Sequence, residues 1–516
     1  MQIRRPVRDA FASPVSAFLR GPMNVLLVYP RFPDTYWSFR YALSFQGKRA
    51  AQPPLGLMTV AALLPASWPK RLIDTNVERL KDRDLAWADV VMLSGMHVQQ
   101  EDLVAIVRRC RAHGVRTVVG GPVTSSLSAS VLEADHIVIG EAEELIGALA
   151  QDLEQGTARP VYEAAARPSL EASPLPDLSL IRMHRYSTMT VQYSRGCPFN
   201  CEFCDIIEIY GRRPRTKPVG QVLAEFEQLY AAGWRGPVFM VDDNFIGNKV
   251  KVRDVLAALA AWQRAHRYPF RLITEASLNL ADDRDLLQAM RDAGFASVFL
   301  GIETPDESSL AATQKLQNTR RDLLTSIAAI QHYGIEVMGG FILGFDTDRE
   351  DVFDRLVEFI QKSAIPVAMV GLLQAMPGTQ LFRRLSREGR ILHAGGGNNT
   401  GCELNFLPRM NSERLMEGYR SVLRRIYSRE AYYERVWASL SRCRPYHRTH
   451  VNLANLRALV LSVLRQGILG RARGSYWKFL LAAATRHRRS FGAAMTMAVM
   501  GYHFQRITEQ IAETEA

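Results

Sequence analysis

Three of the six cysteines lie in one short stretch, RGCPFNCEFCDI (195–206), as Cys197, Cys201 and Cys204. A structural zinc site needs four ligands in a closed tetrahedron, so zinc here would require a distant fourth ligand. A redox pair would need only Cys201 and Cys204. A cubane iron–sulfur cluster suits the C-x3-C-x2-C spacing best, because three thiolates would hold three irons and leave the fourth open to a substrate.

The elements that must position this loop follow a β-α rhythm. From 23 to 153, short apolar runs such as MNVLLVYP (23–30) alternate with helical patterns, which predicts a doubly wound, Rossmann-like α/β domain. Residues 154–185 are rich in Pro, Ala and Ser without a sustained period, so we predict a linker. From 186 to 390, six strand–helix units predict a parallel, partial (βα)6 barrel resembling a TIM barrel. Function belongs at its C-terminal strand ends, and the cysteine loop follows the first strand.

The remaining segments are the two ends. Residues 1–22 are basic but lack a continuous apolar stretch, so we expect an N-terminal extension rather than a signal peptide, and a cytoplasmic protein. Residues 391–516 predict a helical region. Most of the +12 net charge lies there, since 411–516 holds 18 Lys and Arg against 7 Asp and Glu, a balance of +11. Three interpretations stay open: a helical cap with a solvated basic face, contact with an anionic membrane surface, or nucleic-acid binding. No helix-turn-helix or zinc-finger spacing supports the third, so no nucleic acid is expected.

The cysteine loop resembles that of radical S-adenosylmethionine (SAM) enzymes, with Phe203 at the aromatic position of C-x3-C-x-aromatic-C. The resemblance implies a [4Fe–4S] cluster on the three cysteines, SAM on its open iron and a 5′-deoxyadenosyl radical as the reactive species. It also implies SAM contacts at the barrel strand ends. Besides Phe203, these are Asp242 and Asp243 in VDDNF, Glu303 in GIETPD, and Gly340, Ile342 and Gly344 in GGFILGF. Simpler alternatives are that the aspartates cap a helix and that Glu303 pairs with a barrel lysine or arginine.

The N-terminal domain resembles the cobalamin-binding domain of cobalamin-dependent radical SAM proteins. In DTNVER (74–79), Asp74 is retained, whereas Asn76 stands where the family's D-x-H-x-x-G motif has a cobalt-binding histidine. The resemblance therefore implies cobalamin bound without a protein histidine. His97 lies nearby but is more simply a loop residue. The other implied cobalamin contacts are Ser94, Gly95, Gly120, Gly121, Gly140 and Glu141.

Together these resemblances imply a radical SAM methyltransferase that methylates an unactivated carbon. YPRFPDTYWSFRYALSFQGKRAAQPPLGLMTVAALLP and CPFNCEFCDIIEIYGRRPR resemble the hopanoid C-2 methylase-like subgroup, which implies a hopanoid or other lipid substrate. A one-electron donor such as flavodoxin or ferredoxin is implied as a partner, with peripheral membrane contact through the C-terminal region. One alternative is a non-methylating cobalamin radical SAM enzyme, such as a tetrapyrrole oxidative cyclase. Another is a cobalamin or iron–sulfur sensor with a nucleic-acid-binding tail.

Overall fold

The computed structural model describes residues 22–127, 129–443, 453–470, 473–486 and 490–513. The predicted extension 1–22 therefore lies outside the described residues except for residue 22. The described chain forms an N-terminal α/β domain, a barrel and a set of C-terminal helices. Within these ranges, no helix combines the length and apolarity needed to cross a membrane.

The N-terminal domain is built on one parallel sheet with strand order β2-β1-β3-β4-β5-β6. Leu26 and Val28 of β1 face one apolar layer while Val25 and Leu27 face the other, so the sheet is buried on both sides, as a parallel sheet requires. The strands are β1 (Val25–Tyr29), β2 (Lys70–Asp74), β3 (Val90–Ser94), β4 (Arg116–Gly120), β5 (His136–Ile139) and β6 (Val161–Glu163). The helices of the domain are α2 (Leu55–Leu63), α3 (Asp82–Trp87), α4 (Gln100–Ala112), α5 (Ala129–Leu132) and α6 (Ile146–Gln155). The first helix of the chain, α1 (Arg40–Gln46), packs instead against the C-terminal helices.

The segment 154–185 differs in part from the predicted linker. Its β6 pairs in parallel with β5 and forms the outer edge of the N-terminal sheet. The remainder contains three 3-10 turns, at Leu170–Ala172, Leu178–Leu180 and Met183–Arg185. Because β6 has only three residues and the pattern VYE, its sequence period was too short to predict a strand.

The second sheet has the order β14-β13-β12-β11-β10-β7, and its neighbouring strands pair in parallel. It is the six-stranded partial barrel that the sequence predicts. Its strands are β7 (Met189–Val191), β10 (Pro237–Met240), β11 (Arg271–Ala276), β12 (Phe295–Glu303), β13 (Glu336–Leu343) and β14 (Ala368–Leu372); a small hairpin, β8 (Ser194–Arg195) and β9 (Arg215–Thr216), flanks the cysteine loop. The helices are α7 (Ile206–Ile209), α8 (Val219–Ala231), α9 (Lys251–Ala265), α10 (Arg284–Asp292), α11 (Glu307–Ala312), α12 (Leu323–His332), α13 (Val352–Ser363) and α14 (Gln380–Arg387).

The C-terminal region becomes helical later than predicted. Residues 391–411 are mostly irregular and include three consecutive glycines, Gly395 to Gly397, which disfavour a helix. The helices that follow are α15 (Ser412–Ile426), α16 (Arg429–Arg442), α17 (Leu453–Ser462), a π-helical stretch (Val463–Ile468), α18 (Arg473–Arg486) and α19 (Phe491–Glu513).

A segment after β1, residues 30–53, leaves the N-terminal domain and reaches the C-terminal helices. Tyr36 is fully buried, and its hydroxyl lies 2.8 Å from Oγ1 of Thr508 on α19. Its ring stacks on Tyr427, whose hydroxyl donates to the Ala368 carbonyl at the start of β14. Ala50, at the other end of the segment, bridges to Tyr186 just before β7. The segment therefore spans from one edge strand of the partial barrel to the other.

Candidate active site

The cysteine loop is fastened to the barrel by two carboxylates at the end of β10. Asp242 is buried and accepts hydrogen bonds from the backbone amide and the hydroxyl of Ser194. Asp243 accepts from the Gly196 amide at 2.8 Å. Burial raises the pKa of Asp242 to about 7 and that of Asp243 to about 6. The structure thus gives both aspartates a loop-anchoring role, while their predicted contact with SAM stays a prediction.

Amide side chains point at two of the three sulfurs. Asn244 Nδ2 lies 3.7 Å from the Cys197 sulfur, and Gln317 Nε2 lies 3.5 Å from the Cys201 sulfur. Burial raises the pKa of the Cys197 and Cys204 thiols, so without metal both are protonated at neutral pH. Within the described residues, no group of three or more His, Cys, Asp or Glu side chains could hold a single metal ion. A cluster requires a different arrangement, because each thiolate binds its own iron.

The β12 end carries a buried ion pair beside the loop. Glu303 has a left-handed backbone (φ 67°) and accepts a 2.6 Å hydrogen bond from Lys315. Burial alone would lower the Lys315 pKa, but Glu303 and the nearby Cys201 and Cys204 outweigh it, so the pKa is raised. The ion pair with a barrel lysine or arginine, which the sequence offered as the simpler alternative for Glu303, is therefore present, with Lys315 as the partner. Its contact with the SAM ribose stays a prediction.

The other predicted SAM residues lie on β13 and in the cysteine loop. Ile342 and Phe203 both line the central cavity described below. A Cβ atom on Gly340 would lie 3.0 Å from the Phe299 ring, so this position leaves little room for a side chain. Gly344 has φ 104°, and its amide donates to Asp348 at 2.8 Å. The end of β13 therefore borders the cavity at Ile342, whereas the chain is closely packed at Gly340 and Gly344.

The N-terminal domain presents a crevice at the carboxyl ends of β1 and β3. The strand order reverses between these two strands, and ligands of doubly wound sheets bind at such a switch point. Gly121, which follows β4, has φ 85°, and a Cβ there would lie 2.4 Å from the Ser94 hydroxyl. A Cβ on Gly95 would lie 3.0 Å from Leu103, whereas Gly120 leaves ordinary contact distances. The predicted cobalamin residues Ser94, Gly95, Gly120 and Gly121 therefore lie together.

Asp74 and Asn76 form a turn at the end of β2. The Asn76 side chain donates to Asp74 at 2.7 Å and to the Pro30 carbonyl at 3.1 Å, and it accepts from the Phe32 amide at 2.9 Å. Asp74 also accepts from the Tyr186 hydroxyl, and its burial raises its pKa to about 6. Asn76 thus fixes the start of the 30–53 segment, a role that an imidazole could not fill with the same three bonds.

His97 lies in the loop after β3 and lines the central cavity. Its Nδ1 lies 3.3 Å from the Ser126 hydroxyl. Burial lowers the His97 pKa, although Asp205 of the cysteine loop opposes this shift. The imidazole is thus neutral at pH 7 and faces both the N-terminal domain and the cysteine loop.

A buried ion-pair network joins the N-terminal domain to the cysteine loop; we call it the interdomain clamp. It consists of Glu141 and Glu143 from the N-terminal domain with Arg195 and Arg215 from the β8–β9 hairpin. Arg195 donates to Glu141 at 2.6 Å and to Glu143 at 2.8 Å, and Arg215 donates to Glu141 at 2.5 Å. Burial alone would lower the Arg195 pKa, but the two glutamates outweigh it and the pKa is raised.

The clamp gives Glu141, in the stretch GEAEE (140–144), a structural role that the sequence did not predict. Glu141 was predicted to contact cobalamin, yet both its carboxylate oxygens accept from arginines of the barrel. Gly140, with φ 97°, turns the chain at this point. A contact of either residue with cobalamin stays a prediction. Sequence reasoning missed the clamp, although Arg195 lies only two positions before Cys197.

One cavity of about 3080 Å³ is lined by Asn76 and His97 of the N-terminal domain and by Phe203 and Ile342 of the barrel. Pockets for single small molecules usually have about 300–1,000 Å³, so this cavity has room for more than one ligand. The N-terminal domain, the barrel lumen and the C-terminal helices all contribute to its lining. The lining includes Tyr29 and Asn76 from the N-terminal domain, Phe239, Glu275, Phe299 and Met338 from the barrel, and Leu456 and Met497 from α17 and α19.

Comparison with known proteins agrees with this arrangement. Family models described as B12 binding domain, Radical SAM superfamily and Domain of unknown function (DUF4070) match residues 50–150, 191–360 and 379–516. An uncharacterized methyltransferase of Synechocystis sp. is 40% identical over 95% of this chain and 93% of its own length. The hopanoid C-2 methylase of Rhodopseudomonas palustris is 35% identical over 90% of each chain.

This chain belongs to the cobalamin-binding radical SAM methyltransferases. The fold agrees: the structure of OxsB, a cobalamin-dependent SAM radical enzyme with aqua-cobalamin and SAM bound, matches with a TM-score of 0.60 at 15% identity, over 95% of this chain and 80% of that one. Its radical SAM and B12-binding family matches give this methyltransferase a [4Fe–4S] cluster, SAM and cobalamin as cofactors.

The residues present fit these cofactors. Three thiols on one loop, with amide donors toward Cys197 and Cys201, suit a cluster whose potential depends on hydrogen bonds to sulfur. Met96, His97 and Pro122 line the cavity from the loops after β3 and β4, so this edge of the N-terminal sheet is open to a ligand. Cobalamin would lie in the crevice beside Asn76, and SAM would lie between the cysteine loop and Ile342.

Proposed function

We propose that this protein methylates an unactivated carbon of an apolar, lipid-type substrate such as a hopanoid. The observation that carries the proposal is the 35% identity to hopanoid C-2 methylase across 90% of the chain. The lumen supports it, because the side chains that face the cavity from β10, β12 and β13 include Phe239, Phe299 and Met338.

When bound, the cluster and SAM supply the radical that removes a hydrogen atom, and cobalamin supplies the methyl group. The chain itself would position and enclose the reactants. The interdomain clamp holds the cysteine loop against the N-terminal domain, and Asp242 and Asp243 hold it to the barrel. Trp37 packs on Phe299 with ring centroids 5.1 Å apart and brings the 30–53 segment to the lumen. Such enclosure keeps water and side reactions away from a radical.

We further propose that the enzyme works in the cytoplasm, at the inner face of the membrane, with flavodoxin or ferredoxin as electron donor. Reduced thiols at the cluster loop suit that compartment. Substrate at this location would be supplied by the bilayer rather than from solution.

The test is anaerobic reconstitution with iron, sulfide and cobalamin, followed by an assay with SAM, reductant and a hopanoid. We expect 5′-deoxyadenosine, S-adenosylhomocysteine and a product heavier by one methylene unit. Deoxyadenosine without methylated product would contradict methyl transfer and favour a cyclase-type reaction. Cys201→Ala should lose iron and both SAM products, whereas Cys110→Ala, a buried thiol in the N-terminal domain, should retain them.

A further inference from the structure

The outer face of α17 and the helix that follows it carries an unusual row of exposed apolar side chains; we call it the apolar strip. Leu453, Leu456, Val460, Leu464 and Ile468 are 41–85% exposed, and they recur at intervals of three or four residues, which places them on one helix face. Leu469, Trp477 and Leu481 extend the strip toward α18, with exposures of 78%, 37% and 60%.

The strip is not the face that holds α17 in the fold. Ala458 and Leu461, on the inner side, pack against Ala42 and Phe45 of α1. Arg465 donates to the Ser44 hydroxyl at 2.7 Å and lies over the Phe45 ring. The helix is therefore apolar on two sides, and only the inner side is covered by other described residues. Exposed patches of this kind mark interaction surfaces.

The sequence that contains the strip carries charges of one sign. Residues 435–508 contain 13 Lys and Arg and no Asp or Glu. Arg457, Arg473, Lys478 and Arg486 are among the exposed ones beside the strip. Pairing with a second copy of this chain through the same face would bring like charges together, which is unfavourable. A nucleic acid would leave the leucines without an apolar partner. Apolar side chains flanked by cations instead suit an anionic bilayer surface.

The central cavity reaches the strip. Leu456 and Arg457 line it from α17, Leu43 from α1, and Met497 and Met500 from α19. The Arg457 guanidinium lies against Gly47, where a Cβ would come within 3.3 Å of it. A ligand that leaves the bilayer beside the strip would therefore enter at the N-terminal end of α17, past Leu456 and Arg457, and pass along apolar side chains toward the barrel.

We propose that the apolar strip docks on an anionic lipid bilayer and that the substrate enters the cavity directly from it at the N-terminal end of α17, beside Leu456 and Arg457. The entry route rests on the proposed function, because it requires a lipid substrate; the docking surface does not. Each Lys or Arg near an anionic surface adds about 1 kcal/mol, which is a five-fold factor in partitioning.

The experiment is flotation of the reconstituted protein with vesicles of phosphatidylcholine alone or mixed with phosphatidylglycerol. We expect binding to the mixed vesicles that weakens with added salt. The double variant Val460→Glu/Leu464→Glu should reduce partitioning at least ten-fold. The matched control Val250→Glu/Leu392→Glu, which alters two apolar side chains exposed at 78% and 55% elsewhere, should bind like the unmodified protein. Circular dichroism and melting would confirm that both variants fold.

Equal partitioning of the two double variants, or no binding to either vesicle, would overturn the docking proposal. The entry route is tested by turnover: the strip variant should slow methylation of substrate supplied in vesicles but not in detergent micelles. Equal slowing in both would overturn the route. If no substrate is methylated in micelles by the unmodified protein, the proposed function fails, while flotation still decides on docking.

Discussion

The interdomain clamp makes a quantitative prediction about Arg195. The Arg195 side chain is 12% exposed and Glu143 only 2%, and they share two hydrogen bonds, of 2.8 and 3.1 Å. Removing one partner of such a pair leaves a buried charge unpaired, at a typical cost of 3–5 kcal/mol. Glu141 keeps its bonds to Arg215, so most of the loss arises at Glu143. We therefore expect Arg195→Met to lower the free energy of unfolding by about 3–5 kcal/mol.

Urea denaturation of the apo-protein, followed by fluorescence and circular dichroism together, measures this loss. Glu143→Gln added to Arg195→Met should recover part of it, because the remaining carboxylate is then neutralised. The control is Lys362→Met, since Lys362 and its partner Glu358 are 60% and 63% exposed and such pairs contribute about 0.2–1 kcal/mol. If Arg195→Met costs no more than Lys362→Met, the clamp does not hold the two domains together.

Gly121→Ala should destabilise the fold by about 1–3 kcal/mol or more and weaken cobalamin binding, because φ 85° and the Ser94 hydroxyl exclude a Cβ. The control Gly147→Ala, in α6 with open space around it, should stabilise the fold by up to about 1 kcal/mol. Equal melting temperatures of the two variants would contradict the role of Gly121. Burial raises the Glu275 pKa from 4.5 to about 8. Between these pH values the folded chain therefore binds more protons than the unfolded chain. The free energy of unfolding should fall as the pH rises from about 4.5 to about 8. Glu275→Gln should flatten that slope in unfolding measured across the window, and an unchanged slope would contradict the assignment. Gln317→Leu removes a hydrogen-bond donor to the Cys201 sulfur and should lower the reduction potential of the cluster by about 40 mV. This value is the one-electron equivalent of a ~1 kcal/mol hydrogen bond. An EPR-monitored redox titration measures it, and an unchanged potential would show that Gln317 does not act on the cluster.

Local patterns were enough to predict most of the barrel. The sequence predicts a helix over 219–232, and α8 runs from Val219 to Ala231; for 349–362 the structure has Val352–Ser363. Such elements are fixed by apolar periodicity and by neighbouring turn residues. The role of Cys197, Cys201 and Cys204 as cluster ligands is likewise predicted from local spacing, and it stays a prediction.

Pairings between distant residues could not be predicted in this way. Glu141 lies 54 positions from Arg195 and 74 from Arg215, and nothing in GEAEE indicates that its partners belong to another domain. Likewise, the sequence shows that Asn76 stands in place of a histidine, but only the structure shows that its side chain forms hydrogen bonds with Pro30 and Phe32. The 23–153 domain was predicted correctly in type, whereas the departure of residues 30–53 from it depends on packing with α19.

That departure has a consequence for how the chain folds during synthesis. Tyr36 and Thr508 meet although 472 positions separate them. On the ribosome, the N-terminal sheet can assemble while residues 30–53 still lack their partners, because α19 is made hundreds of residues later. Until then Tyr36 and its neighbours remain exposed, which is a state that favours aggregation. We expect nascent chains arrested before α19 to bind chaperones through this segment, and completion of α19 to release them.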